Sequence, residues 1–238
     1  MTLAPFFSFY GGKWRSAPKY PRPERNVIVE PFAGSAGYST RYSSKKVFLV
    51  EKDDVIASVW EYLIGAHCDE IMCLPDIEDG QSVDDLCVCD GARALIGFWL
   101  VKGASRPNKT MSAWGRDPMH RSQFWGHRAR KRIASQVGLI RHWEVIRGDY
   151  SSAPDIDATW FVDPPYEIKG KYYKIGSTHL DYQRLAEWCL SRKGQAIVCE
   201  NTGASWLPFK HFDDAKANES KSGSKISREA IYVVGGHR

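Results

Sequence analysis

Five short apolar runs in this chain each lead into a polar residue. Residues 27–30 end at Glu30, and 47–50 run into Glu51. Residues 143–146 are followed by Asp149, 159–162 run into Asp163, and 196–199 run into Glu200 and Asn201. Apolar runs this short, with turn residues at their ends, read as buried strands. A sixth run, 231–234, is the last strand expected. Pro31 to Gly37 is a turn of small residues, Tyr38 to Ser43 is predicted to start a helix, and Val55 to Ile64 has helical apolar spacing. Leu180 to Leu190 is predicted helical, and Ser220 to Ser224 a polar loop. Strand–turn–helix–strand–acid–helix is the pattern of a doubly wound parallel sheet, whose ligands bind beyond the carboxyl ends of its strands.

Length and composition agree with one such unit. The chain has 238 residues, 43% hydrophobic and 26% charged, which excludes bulk disorder and fibrous classes. No apolar stretch is long enough to predict a membrane span, and no secretory leader is expected. The cysteines at 68, 73, 87, 89, 189 and 199 are expected to be reduced. The spacing of the first four fits no standard zinc pattern, so no metal site is expected.

Residues 66–142 break the strand–helix rhythm and hold most of the charge asymmetry, which predicts an inserted subdomain between 1–65 and 143–238. Eight acids and no Lys or Arg lie in 66–90, whereas nine bases and one acid lie in 99–132. The basic stretch contains Lys102, Arg106, Lys109, Arg116, Arg121, Arg128, Arg130, Lys131 and Arg132, interleaved with Trp99, Trp114, Phe124 and Trp125. Cations attract a phosphate backbone and aromatic faces stack on bases, so this stretch is expected to meet nucleic acid. A solvated charged face is the competing reading. The acidic run is expected on another face.

The sharpest motif is Asp163-Pro164-Pro165-Tyr166, directly after a strand. Its two prolines stiffen the backbone where the crevice should lie. A rigid strand exit with Asp163 as a mere cap is the alternative. No G-x-G-x-x-G fingerprint or P-loop is present, and the histidines at 120, 127, 142, 179 and 211 show no triad or metal spacing.

Asp163-Pro164-Pro165-Tyr166 matches the DPPY motif of the amino-group DNA methyltransferases, and the order of parts resembles the Dam-type adenine-N6 branch. Tyr10-Gly11-Gly12-Lys13 resembles its N-terminal segment, and Glu30-Pro31-Phe32-Ala33-Gly34-Ser35 its cofactor loop. Glu51 stands where the family has an acid, more often Asp, after the second strand; Gly148-Asp149-Tyr150 resembles the segment beside the cofactor adenine. Ser227-Arg228-Glu229-Ala230-Ile231 resembles a late Arg/Lys–Glu segment entering the last strand. The family usually has a second glycine where this chain has Ala36, with Gly37 one step later.

The resemblance implies an α/β, doubly wound, mostly parallel Rossmann-like methyltransferase fold with a mainly helical target-recognition insert at 66–142. It implies S-adenosyl-L-methionine as cofactor, and double-stranded DNA as substrate with a flipped adenine. By the same resemblance Asp163, Pro164, Pro165 and Tyr166 are catalytic. Tyr10, Lys13, Phe32, Ala33, Gly34, Ser35, Glu51, Asp149, Tyr150 and Asp163 border the cofactor. Lys102, Arg106, Lys109, Trp114, Arg116, Arg121, Trp125, Arg128, Lys131 and Arg132 are the nucleic-acid candidates. A bacterial or phage-encoded cytoplasmic enzyme, acting as monomer or weak dimer, is the expected setting. RNA adenine, cytosine N4 or a protein amide as acceptor, and a binding module without turnover, remain open alternatives.

Overall fold

The computed structural model describes residues 2–167, 180–216 and 226–235. The expected loop at 220–224 and His179 lie outside these residues. Seven strands form one sheet: β1 (Val27–Glu30), β2 (Lys46–Glu51), β3 (Glu144–Arg147), β4 (Ala158–Val162), β5 (Gly194–Asn201), β6 (Lys210–Lys216) and β7 (Ile226–Val234). Their order is β3-β2-β1-β4-β5-β7-β6. The first five are parallel, and β7 runs antiparallel to both β5 and β6. This is an α/β, mostly parallel sheet of the Rossmann-like kind. Strand order reverses between β1 and β4, so a crevice opens beyond their carboxyl ends.

Alternation along the strands sends side chains to two cores. Ile28, Phe161, Ile197 and Cys199 face one side; Val29, Trp160, Val162 and Val198 face the other. The helices are α1 (Asp54–Gly65), α2 (Cys68–Cys73), α3 (Asp90–Trp99), α4 (Ala113–Arg116), α5 (His127–Val137) and α6 (Tyr182–Leu190). The first core takes Trp60 of α1, Phe98 of α3 and Ile133 of α5, and α6 brings Leu185 and Cys189 to the second. Covering both faces explains why the parallel strands read as unbroken apolar runs. Helix α1 starts where the Asp53 carboxylate accepts the Val55 N–H at 3.0 Å, and α6 starts where Asp181 accepts the Arg184 N–H at 3.0 Å. Both are side-chain N-caps.

The middle of the chain shares the first core. Phe6 and Phe7 pack on Trp60, with ring centroids 5.7 and 5.6 Å away, and Phe7 stacks on Phe98 at 4.9 Å. Phe124 and Trp125 belong to the same cluster. The N-terminal segment is thereby wedged between α1 and α3. No helix among the described residues is long and apolar enough to cross a membrane.

Two local expectations are corrected. The helix predicted at Tyr38–Ser43 is a 3-10 turn, Ser39–Tyr42. The preceding chain doubles back through left-handed Gly34 (φ +46°) and Ala36 (φ +48°), and the Ser39 N–H is taken by the Glu30 carboxylate at 2.7 Å. Strand β6 was not anticipated, because Lys-His-Phe-Asp-Asp-Ala-Lys lacks an apolar run. It lies at the sheet edge, where charged residues guard unpaired backbone.

Ala36 thus carries the positive φ that a glycine would carry without strain, at about 1–2 kcal/mol. Gly37 is needed for space: a β-carbon there would sit 2.5 Å from the Trp14 backbone nitrogen. We expect Gly37→Ala to destabilise the fold by about 1–3 kcal/mol in urea unfolding. Ala36→Gly should stay within about 1 kcal/mol of wild type, as relieved strain offsets a lost buried methyl and added chain entropy. A larger loss for Ala36→Gly than for Gly37→Ala would refute this division of roles.

Candidate active site

Beyond the carboxyl ends of β1, β2 and β4 lies a cavity of about 250 Å³. Its wall includes Tyr10, Lys13, Phe32, Ala33, Gly34, Ser35, Glu51, Asp149, Tyr150, Asp163 and Pro165. The tertiary structure therefore gathers all the cofactor candidates and two of the motif residues into one place.

Glu51 ends β2 and tethers the loops around it. One oxygen accepts the Gly34 N–H at 3.0 Å and the other the Asp53 N–H at 2.9 Å. Burial pushes its carboxyl upward, and these backbone donors oppose the shift. A carboxylate offers about four acceptor sites, so Glu51 keeps acceptor capacity for a hydroxyl beside the N–H groups of Gly34, Asp53 and Lys52. Phe32 stacks on Tyr150 at 5.7 Å, and Trp188 meets the Tyr150 ring edge-on at 5.2 Å, making a firm aromatic wall. Asp149 accepts from the Ser151 hydroxyl and N–H, and that hydroxyl holds its carboxyl below the usual range. Tyr10 stands at the mouth, 38% exposed.

Asp163 follows β4 and faces a cation. Lys13 Nζ lies 3.0 Å from its Oδ1, 3.8 Å from Glu229 Oε2 and 4.8 Å from the centre of the Tyr166 ring. Lys13 thus sits at the motif acid, whereas the resemblance implies a place by the methionine carboxylate. Tyr166 donates to Glu229 Oε2 at 2.6 Å. Burial raises the Asp163 carboxyl, Lys13 lowers it, and Glu229 raises it further. The motif is braced from behind: Tyr182 donates to the Pro165 carbonyl at 2.5 Å, and the Glu167 N–H donates to Glu200 Oε2 at 3.1 Å. Pro164 is buried.

Residue-by-residue reading of the sequence left three acids without a role. Glu30 is buried at the end of β1, with its carboxyl pushed up to about 8 by burial. Glu200 is buried at the end of β5, and burial pushes it to about 6. Glu229 reaches the site from antiparallel β7, paired opposite Asn201. For Glu30 and Glu200 the signal was present, an acid closing an apolar run. For Glu229 the signal was the resemblance over residues 227–231, which carried no role for the acid, since its contact with Tyr166 depends on the return direction of β7.

The residues present fit a cationic, nucleoside-bearing group. Even with Glu30 protonated, acids outnumber bases on the cavity wall: Glu51, Asp53, Asp149, Asp163 and Asp181 against Lys13, Lys52 and Arg184. Such a wall favours a sulfonium and an ammonium and disfavours a pyrophosphate. The Phe32–Tyr150 wall suits a purine, and Glu51 suits ribose hydroxyls. No group of three metal-ligating side chains comes together among the described residues.

The basic stretch divides. Trp125 is fully buried and donates to the Pro75 carbonyl at 2.8 Å, so it is core and offers no face to a base. Arg121 donates to the Trp125 carbonyl at 2.6 Å, holding a loop. Arg130 is buried against Asp76 in a two-pronged ion pair of 2.7 and 3.2 Å, and Lys109 meets Asp84 at 2.6 Å. The acidic run therefore folds partly onto the basic one, not onto another face. Lys102 donates to the Gln123 carbonyl and lies over Trp99 and Phe124. Arg132 donates to the Pro5 carbonyl at 2.7 Å and covers Trp99. Arg116 donates to the Met111 carbonyl at 2.9 Å. Arg106, Arg128 and Lys131 are exposed and make no ion pair among the described residues. Trp114 is 47% exposed and meets the His120 ring at a tilt, with centroids 4.4 Å apart.

Glu30 generates a pH prediction. Its carboxyl lies above the unfolded value in the fold, so the folded state holds a proton that the unfolded state releases. Its contribution is fully present below pH about 4.5 and is lost as pH rises towards about 8. Glu30→Gln keeps an acceptor for Ser39 and should flatten this decline by up to ~1.4 kcal/mol per pH unit. Urea unfolding at pH 4, 6 and 8 measures it; parallel stability curves for both proteins would refute the assignment.

No protein-family profile and no curated protein matches the chain. A conserved hypothetical protein of Streptococcus pyogenes is similar in structure over 89% of this chain and 88% of its own, at 13% identity and a TM-score of 0.37. A likeness that loose carries no argument about function.

Proposed function

We propose that this protein is an S-adenosylmethionine-dependent DNA methyltransferase acting on the exocyclic N6 amine of adenine. One observation carries the reading: Asp163, at the head of Asp-Pro-Pro-Tyr, shares a single cavity with Glu51, the Gly34 loop and the Phe32–Tyr150 wall. That cavity lies where strand order reverses.

S-adenosylmethionine supplies a methyl group already activated on a sulfonium. Glu51 accepts ribose hydroxyls, the stacked Phe32–Tyr150 pair borders the purine on one side, and the acid-rich wall attracts the positive charge. An adenine amine is a weak nucleophile because its lone pair is delocalised into the ring. The Asp163 carboxylate and the Pro164 carbonyl accept its two N–H groups and favour a more tetrahedral nitrogen. Tyr166 offers its ring to the extruded base. Positioning and electrostatics do most of the work, and no covalent intermediate on the protein is required. Residues 66–142 are the DNA-facing part of this proposal, with Arg106, Arg128, Lys131 and the exposed Trp114 as its contacts.

The test is methyl transfer from labelled cofactor to unmethylated duplex DNA, single-stranded DNA and RNA, with mass spectrometry of the digested nucleosides. N6-methyladenine from duplex DNA is the expected product. N4-methylcytosine or product from RNA alone would redirect the reading, and no product on any nucleic acid would sink it. Asp163→Ala should lower kcat by about 10²-fold or more while sparing DNA affinity. Reversing Arg128 and Lys131 should weaken binding and reduce the salt slope by about 2. A fluorescence titration across salt concentrations that leaves the slope unchanged would remove them from the interface.

A further inference from the structure

Glu229 stands outside the motif, yet it touches the two groups that flank Asp163. Its Oε2 accepts the Tyr166 hydroxyl at 2.6 Å, a distance typical of a charge-assisted bond. The same oxygen lies 3.8 Å from Lys13 Nζ, which is 3.0 Å from Asp163 Oδ1. Both carboxylates and the lysine are largely enclosed, with side chains 18%, 11% and 10% exposed for Asp163, Glu229 and Lys13. One ammonium thus serves two carboxylates, and a tyrosine hydroxyl supports the second.

We infer that Glu229 is a positioning residue for the proposed methyl transfer. It aims the Tyr166 ring through its hydroxyl and shares Lys13 with Asp163, so that base-facing ring and amine-accepting carboxylate hold one geometry. The inference rests on the proposed function for its purpose, and on these contacts for its existence.

Physical reasoning separates the two duties. The 2.6 Å bond to Glu229 restrains the Tyr166 hydroxyl, which also interacts with Asp163, while the Lys13 ammonium lies over the ring. The charge acts on Asp163. Around that carboxyl stand Lys13 from the N-terminal segment, Glu229 from β7, Glu30 from β1, Cys199 from β5, and Tyr166 and Tyr20. Among them Lys13 is the cation that favours ionised Asp163, and Glu229 is a negative neighbour that opposes it. Glu229 therefore draws on Lys13 in competition with Asp163. Removing its charge takes away the carboxylate that competes with Asp163 for Lys13, whereas removing the lysine leaves two enclosed carboxylates without the ammonium between them.

Two readouts test this on the full chain. The first needs no turnover: carboxyl-carbon NMR titration of Asp163 in the cofactor-free protein. Glu229→Gln should move the Asp163 midpoint to lower pH by about one unit, and Lys13→Met should move it higher. An Asp163 midpoint unmoved by Glu229→Gln overturns the electrostatic half. The second is a double-mutant cycle on kcat with Glu229→Ala and Tyr166→Phe. Each should lower kcat about tenfold with little change in KM for cofactor, and the double variant should be no worse than the worse single one. Rescue by Glu229→Gln, which keeps an acceptor for the hydroxyl, is expected. Additive losses would overturn the positioning role. If the midpoints shift as stated but no nucleic acid is methylated, the proposed function fails and the charge arrangement stands. Methyl transfer with unmoved midpoints and additive losses has the opposite meaning.

Discussion

Four neighbouring strands of one parallel sheet carry a carboxylate at or next to their carboxyl ends: Glu51 on β2, Glu30 on β1, Asp163 after β4 and Glu200 on β5. Enclosing a carboxylate is expensive unless donors or a cation meet it. Each acid therefore recruits a loop. Glu51 takes the N–H groups of Gly34 and Asp53, Glu30 that of Ser39, and Glu200 those of Asn201 and Glu167. Asp163 takes an ammonium, which brings the Tyr10–Lys13 segment across the sheet. The loops that form the cavity are shaped by the need to satisfy these acids.

That requirement explains features that look like defects in isolation. Ala36 accepts a left-handed backbone because the loop must bring Gly34 to Glu51 and Ser39 to Glu30 within a few residues. Gly37 has no side chain because Trp14, on the segment delivering Lys13, crosses it. Arg41 then holds that crossing by donating twice to the Trp14 carbonyl, with its guanidinium 3.8 Å over the Trp14 ring. Strain at one residue is balanced by hydrogen bonds and packing at several others.

The basic stretch obeys a different logic. Cations at residues 102, 109, 116, 121, 130 and 132 each meet a carbonyl, a ring or an acid, so much of the charge in the sequence stabilises the fold that displays the remainder. Charge density along a chain therefore overstates the charge presented to a partner. In the proposed function, the exposed remainder at Arg106, Arg128 and Lys131 sets the attraction for phosphate.

Local pattern alone was enough to read the parallel strands, helix α1, the rigid Asp163–Tyr166 segment and the acids at strand ends. Each rests on interactions between residues close in sequence: alternation, helical spacing, ring constraints on φ. It missed β6, whose polar composition suits an edge, and it counted Trp125 among exposed aromatics although its indole N–H satisfies Pro75 in the core. It also left Glu229 without a role, because that residue reaches Tyr166 from 63 positions away on a strand running the other way. The sequence by itself determined which residues form strands and where acids close them. Only the tertiary structure decided which acids share Lys13 and which cations remain at the surface, because burial and ion pairing depend on distances across the sheet that no local pattern encodes.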